Sequence, residues 1–192
     1  MSRNKLYCEE TALQKATALF TRHGYNGTSL AMLTNELEIG KQSLYDCFGD
    51  KRQLLSSCLA NAAQQFKPAR HLLQMRLNAR TTIERFFDDL VNECANPDND
   101  GCLVSNLLLE KGYSDTDIRD EAIGFWRATQ QALMQHCERG LLDGSIKSDS
   151  SSAVLAASLM TWLSGLRVSA RAGNVQLMKK TNTAFLAALL AK

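Results

Sequence analysis

Apolar residues recur at steps of three and four along most of the chain, the period of helices that bury one face. In residues 9–22, the positions on that face are Ala12, Leu13, Ala16, Leu19 and Phe20. Residues 23–27 contain two glycines and an asparagine, which are expected to end this first helix. Because no β-alternation of useful length follows, the pattern predicts an all-α fold.

Two short helices follow, separated by a tight turn. Thr28 or Ser29 can N-cap the first of them. Its apolar face consists of Leu30, Leu33 and Leu37. After a break at residues 36–40, the next helix has Leu44 and Phe48 as its inner face. A longer helix before two short ones matches the outline of a helix-turn-helix module.

A fourth helix is expected to begin after Asp50, because Asp50 is a good N-cap and Gln53 stands three residues later, as in a capping box. Pro68 is expected to end or bend this helix near residues 66–67. We therefore predict two domains: a helix-turn-helix module, of the type that binds DNA, at residues 5–65, and a larger helical domain at residues 66–192. Further helices are predicted at about 79–96, 101–112, 115–142, 149–172 and 174–190.

The last two predicted helices carry apolar faces that suit pairing into a four-helix bundle between two copies of the chain. These faces consist of Val154, Leu155, Leu159, Trp162, Leu163 and Leu166 in one helix, and Val175, Met178, Phe185, Ala188 and Leu189 in the other. The alternative is that the same residues form the core of one protomer.

Composition narrows the function classes. A net charge of +2 on 192 residues is too small for a generally basic nucleic-acid binder, so such a function must rest on local placement. The N-terminus becomes charged before an apolar run develops, which argues against a signal peptide and for a cytoplasmic location. The six cysteines and three histidines lack metal-ligand spacing, so no metal or cofactor is expected.

The third helix carries the most specific chemistry. With Leu44 buried, Lys41, Gln42, Ser43 and Tyr45 turn away from the core. Gln and Ser near a helix start can meet base edges in a major groove, whereas Lys and Tyr can contact phosphates. Lys51, at the start of the fourth helix, is another phosphate-seeking group. The alternative is a solvated amphipathic helix in an ordinary bundle.

The segment "ALQKATALFTRHGYNGTSLAMLTNELEIGKQSLYDCFGDKRQLL" resembles the N-terminal signature of the TetR family of bacterial repressors over roughly residues 8–60. The resemblance implies a homodimer that binds a palindromic operator and releases it when a small ligand enters the C-terminal domain. It also implies phosphate contacts from Thr28 and Ser29, a groove-facing start of the recognition helix, and phosphate clamps. The groove-facing residues are Lys41, Gln42 and Ser43, and the clamps are Tyr45 and Lys51.

Four positions depart from the family pattern. Glu38 stands where the turn usually has Gly, so a left-handed backbone is expected there at some cost. Ala31 and Met32 replace polar or basic residues in the second helix. Asp46 places an anion where phosphate is expected, which is unfavourable unless it meets a base amine or a cation. Cys47 is expected to pack in the core.

The larger domain offers candidates for a signal-sensing site. Cys102 and Asn106 share one helical face with Glu110, and Gly101-Cys102-Leu103 resembles a segment found in one subset of the family. Cys102 could sense electrophiles or oxidants, but packing is the competing interpretation, since Asp98 and Asp100 oppose a lowered thiol pKa. A cavity for an apolar effector could be lined by aromatic residues, which otherwise serve as core. These are Trp126, Trp162, Phe86 and Phe125.

Two rival functions come from other classes. A thiol enzyme would need a Cys–His pair, and His136-Cys137 is merely adjacent on a helix, so the two side chains diverge. A helical interaction protein that has lost operator binding is the second rival, favoured by Asp46 and Ala31. We expect a DNA-binding transcriptional regulator without enzymatic activity, which binds double-stranded operator DNA and an unknown small-molecule effector and does not enter the membrane.

Overall fold

The computed structural model of the protein describes residues 3–66, 77–96, 101–110, 116–173 and 175–190, with side chains for all of these except residues 3–8 and 65. Within these residues the chain forms nine α-helices and no strand, which confirms the predicted all-α fold. The helices are α1 (Arg3–Gly27), α2 (Leu30–Leu37), α3 (Lys41–Phe48), α4 (Lys51–Gln65), α5 (Ala79–Cys94), α6 (Leu103–Glu110), α7 (Thr116–Asp143), α8 (Ser152–Arg171) and α9 (Val175–Leu190).

Helices α5 to α9 begin and end within three residues of the bounds that the sequence predicts. Helix α1 is longer than predicted, but its helical path breaks at Gly24, where φ is 72° and ψ is 176°. Only glycine adopts this conformation readily, so the predicted stop signal acts as a kink before the last helical turn. Pro68, the predicted end of the fourth helix, lies outside the described residues, as do Asp98 and Asp100.

The chain divides into two compact units. The first contains residues 1–65 and 100–125, and therefore α1 to α4, α6 and the start of α7. Residues 100–125 thus share a unit with the N-terminal helices, although they lie in the second of the two domains that the sequence predicts. The most completely buried members of its core are Ala16, Phe20, Leu33, Leu44, Leu54, Leu55, Cys58 and Ala122.

The second unit contains residues 66–99 and 126–192. Phe86 lies at the centre of an aromatic cluster, edge-on to Phe66 at 6.1 Å and to Phe87 at 5.0 Å between ring centroids. Phe86 and Phe87 are fully buried. Edge-to-face rings stabilise a core beyond the area they bury, so Phe86 is a packing residue of this unit rather than part of an open cavity lining.

Helix α8 is the one helix of the described part of the chain that is long and apolar enough to cross a membrane, with a mean hydropathy of 1.3. Part of its apolar surface is buried within the second unit. This burial also corrects the predicted intersubunit face, because several of its members stabilise the protomer itself. These are Leu155, Leu159, Leu163, Leu166 and Met178.

Candidate nucleic-acid interface

The turn between α2 and α3 sets the direction of the third helix. Glu38 adopts the left-handed conformation expected of it, with φ 55° and ψ 35°. A side chain in this conformation costs about 1–2 kcal/mol. The Lys15 ammonium lies 3.0 Å from the Glu36 carbonyl oxygen and 3.3 Å from Glu38 Oε1, so α1 holds the turn from one side. Residue spacing did not predict this role of Lys15, because its partners lie on other elements.

Thr28 and Ser29, the two candidate N-caps of α2, have different roles in the structure. Ser29 is the N-cap: its exposed hydroxyl accepts a hydrogen bond from the Met32 amide at 3.1 Å. Thr28 is fully buried, and its hydroxyl donates to the Gly24 carbonyl oxygen at 2.7 Å. The geometry therefore gives the Thr28 side chain a structural role at the α1 kink, whereas Ser29 remains accessible to a phosphate.

Helix α3 presents a polar face to solvent. Leu44 is fully buried and Phe48 is partly buried against the same core, which confirms the predicted inner face. The residues predicted to meet DNA on this helix are all exposed. They are Lys41, Gln42, Ser43 and Tyr45. Cys47 is exposed as well, so the expectation that it packs in the core is wrong: it lies about 100° around the helix axis from Phe48, outside the face that Leu44 and Phe48 turn to the core.

Two side-chain pairs, each four residues apart, organise the exposed face of α3. The Lys41 ammonium lies 5.9 Å from the centroid of the Tyr45 ring. Gln42 Nε2 donates a hydrogen bond of 2.9 Å to Asp46 Oδ1. The carboxylate of Asp46, which fits the sequence pattern poorly, thus has a partner on its own helix.

The start of α4 lies next to this face along the chain. The capping box is formed as predicted: the Gln53 amide donates to Asp50 Oδ1 at 2.8 Å, and the Asp50 amide donates to Gln53 Oε1 at 2.9 Å. The ammonium group of Lys51 lies 4.3 Å from the centroid of the Tyr25 ring, a cation–π contact that places this cation beside the kink of α1.

Comparison with known proteins identifies this arrangement. Residues 12–58 match the family model of the bacterial regulatory proteins of the tetR family, the stretch from α1 to α4 that contains every element described above. Over these residues the chain is similar to the TetR family.

Individual relatives are named as HTH-type transcriptional regulators. An uncharacterized HTH-type transcriptional regulator of Bacillus subtilis (strain 168), YezE, is 31% identical over 123 residues, which are 62% of each chain. The match thus spans less than two thirds of that relative. The HTH-type transcriptional repressor ComR of Escherichia coli (strain K12) is 26% identical over 175 residues, 89% of this chain and 83% of ComR.

A solved structure extends the likeness to the fold. The TetR-family regulator CifR, a cysteine mutant complexed with 26-bp double-strand operator DNA, is 28% identical to this chain. The superposition has a TM-score of 0.78 and covers 91% of this chain and 95% of the other.

Asn106, predicted as an effector or sensor residue, connects two helices of the first unit. Its side-chain amide donates a hydrogen bond to the Thr21 carbonyl oxygen at 2.8 Å. One helical turn later, the Glu110 carboxylate accepts hydrogen bonds from the backbone amides of Tyr25 and Asn26 at 2.8 and 2.7 Å. The four-residue spacing predicts that Asn106 and Glu110 share one face of a helix. It does not predict that this face contacts the backbone of α1, which lies 85 residues earlier in the chain.

The cysteines differ in accessibility. Burial raises the pKa of the Cys58 thiol to about 11 and that of Cys137 to about 12, which disfavours the reactive thiolate in both. Cys102 is half-buried at the start of α6, and its carbonyl oxygen accepts a hydrogen bond of 3.0 Å from the backbone amide of Asn106. Among the residues with described side chains, Cys47 is the exposed cysteine.

The two tryptophans predicted to line an effector cavity lie in the second unit. The Trp162 ring stacks on Phe185 with centroids 4.4 Å apart, and its indole N–H donates to Asn182 Oδ1 at 3.0 Å. The buried Asn182 amide donates in turn to Asp88 Oδ1 at 3.1 Å. The stacking contact and these two hydrogen bonds hold the Trp162 ring in one orientation. Trp126 is half-buried on α7. Across the described residues, no group of His, Cys, Asp and Glu side chains could hold a metal ion.

Proposed function

We propose that this protein is a cytoplasmic repressor that binds a palindromic operator as a homodimer and leaves it in response to a small molecule or an electrophile. The observation that carries the proposal is the polar face of α3, held outward by the buried Leu44. In this proposal residues 5–65 bind DNA, and residues 66–192 bind the effector and pair the two subunits.

The exposed groups of the first unit divide into base-reading and phosphate-binding sets. Gln42 and Ser43 stand in the first turn of α3, where a recognition helix meets base edges. Lys41 and Tyr45 form a pair on the same helix, which suits a phosphate contact beside the groove. Ser29 and Lys51 are expected to hold further phosphates from the starts of α2 and α4.

The proposed dimer surface rests on exposed apolar and small residues of α8 and α9. Val154, Val168 and Leu177 are exposed by 54%, 66% and 57% although they are large and apolar. Together with smaller exposed residues at helical spacing on the same two helices, they define a set of positions called the dimer stripe below. It consists of Val154, Ala157, Thr161, Gly165 and Val168 on α8, and Leu177, Ala184 and Ala188 on α9.

Small residues let two helices approach closely, and an exposed apolar stripe marks an association site. A two-fold dimer paired through this stripe would carry two α3 helices, one from each subunit. Successive major grooves on one face of the duplex recur about every 34 Å, so a palindromic operator would match the symmetry of the protein.

The proposal is tested by selecting binding sites from random double-stranded DNA and titrating the winning sequence at two salt concentrations. A palindrome is expected, with an affinity that falls steeply as salt rises, because Lys41 and Lys51 displace counterions from phosphates. Enrichment of no sequence motif would overturn the proposal and favour a helical interaction protein instead.

The roles of Tyr45 and Gln42 are separable in the same assay. Tyr45→Phe removes one hydroxyl and is expected to weaken binding about three- to tenfold on all sequences alike, the worth of one phosphate hydrogen bond. Gln42→Ala is expected to relax the preference at one base position of each half-site by about tenfold. The opposite pattern would show that the two roles are exchanged.

We propose Cys102 as the thiol for an electrophile signal, since Cys58 and Cys137 are buried with raised pKa values. Addition of N-ethylmaleimide to the wild type is expected to release a fluorescent operator, and Cys102→Ser is expected to abolish most of that release. Operator release is measured by fluorescence anisotropy.

The control for this experiment is Cys47→Ser, because an adduct on the exposed Cys47 would block α3 directly. If Cys47→Ser abolishes release while Cys102→Ser leaves it unchanged, the signal is steric blockage at the DNA face and Cys102 is not the sensor. If both variants release normally, a thiol other than Cys47 and Cys102, such as the half-buried Cys94, reacts with N-ethylmaleimide, and Cys102 is not the sensor.

A further inference from the structure

The hydrogen bond between Gln42 and Asp46 restricts what Gln42 can present to DNA. Gln42 Nε2 lies 2.9 Å from Asp46 Oδ1, and both side chains are exposed on the same face of α3. An ionised carboxylate only accepts hydrogen bonds, so the Gln42 amide must turn its nitrogen, not its oxygen, toward Asp46. The carboxylate thus selects one of the two orientations that a terminal amide otherwise adopts freely.

We infer that Asp46 is a specificity-determining residue, which holds the Gln42 amide in the orientation that reads adenine and rejects guanine. The inference rests on the proposed operator binding, since it requires that Gln42 faces a base edge. Asp46 acts through Gln42 and is therefore a positioning residue, not a base contact in its own right.

The preference follows from the hydrogen-bonding groups that remain. One N–H of the Gln42 amide is occupied by Asp46, which leaves one N–H donor and the carbonyl oxygen. Adenine offers an acceptor at N7 and a donor at N6, and this donor–acceptor pair matches the remaining groups of Gln42. Guanine offers acceptors at both N7 and O6, so the Gln42 oxygen would face a second acceptor.

The charge of Asp46 gives the inference a distinctive consequence. A carboxylate near phosphates weakens binding to every sequence, because like charges repel. Asp46→Ala is therefore expected to bind all sequences more tightly, roughly fivefold at low salt, from the Coulomb energy at short range in water. At the same time, the preference of adenine over guanine at the Gln42 position should fall from about tenfold to about twofold or less.

The experiment measures binding of the full-length protein to the selected operator and to the same operator with adenine replaced by guanine, one position at a time. Four variants are compared with the wild type: Asp46→Ala, Asp46→Glu, Gln42→Ala and Glu36→Ala. Asp46→Glu keeps the acceptor and the charge and should retain the preference. Glu36→Ala removes an exposed acid of α2, so it should alter affinity alone.

Each outcome bears on one of the two claims. If the wild type selects no operator, the proposed function fails. If the wild type selects an operator and Gln42→Ala relaxes a position that Asp46→Ala leaves unchanged, operator binding stands and the positioning role of Asp46 is refuted. If Asp46→Ala relaxes a different position from Gln42→Ala, Asp46 contacts a base itself, which also overturns the inference.

Discussion

Replacing Val168 with glutamate is expected to separate the dimer and to weaken operator binding by at least about 100-fold. Two linked DNA-binding units engage the second half-site at a high effective concentration, and avidity of this kind exceeds single-site affinity by about 10² to 10⁴. A variant that cannot pair loses this factor although its α3 face is unchanged.

The size of the effect depends on where Val168 lies. It is 66% exposed on α8, in the dimer stripe, so a glutamate there is expected to change protomer stability by less than about 0.5 kcal/mol. In a two-fold dimer the same charge is buried on both subunits without a partner, and burying an unpaired charge costs several kcal/mol. The substitution therefore acts on association and not on the fold.

Leu142→Glu is the matched control. Leu142 is also a large apolar residue of the second unit and is 83% exposed, but it lies on α7, outside the dimer stripe. Mass measured by sedimentation and operator affinity measured by anisotropy should both match the wild type for Leu142→Glu. A dimeric Val168→Glu protein with normal affinity would show that the copies pair elsewhere.

The second large effect is expected from Leu44→Ala. Leu44 is the fully buried residue that fixes α3 to the core of the first unit. Leucine-to-alanine changes at such sites cost about 2–5 kcal/mol through lost burial and a residual cavity. The free energy of unfolding in urea should fall by this amount, and operator binding should fall with it, since α3 no longer keeps one orientation.

Cys47→Ala provides the comparison on the same helix. Because Cys47 is exposed, its truncation should change the free energy of unfolding by less than about 0.5 kcal/mol. Far-UV circular dichroism of both variants separates local loss of α3 from global unfolding. Equal stability losses for the two variants would contradict the assignment of Leu44 to the core and Cys47 to the surface.

Features governed by neighbours in sequence were predictable. The inner face of α3 follows from the positions of Leu44 and Phe48, and the capping box follows from Asp50 and Gln53. The left-handed conformation of Glu38 follows from a turn position that usually holds glycine. The first two depend on contacts within about one helical turn, where the spacing of side chains is known in advance, whereas the Glu38 prediction follows from the family resemblance.

Features that depend on packing between distant helices were not predictable from one sequence. Thr28 and Ser29 were equivalent as caps until burial assigned Thr28 to the α1 kink. The polar side chain of Asn106 could contact a ligand, solvent or the backbone. Its actual partner, the Thr21 carbonyl oxygen, is known only once the helices are packed. The apolar faces of α8 and α9 contain both core and stripe positions, which periodicity alone does not separate.

The hydrogen bonds between Glu110 and α1 make the contact of α6 with α1 measurable. The amides of Tyr25 and Asn26 follow the kink at Gly24 and donate to a carboxylate on α6. Hydrogen exchange at these two backbone positions therefore records, at the DNA-binding end of the chain, whether α6 is docked. A signal that pulls Glu110 away would be visible as faster deuterium uptake at two adjacent amides.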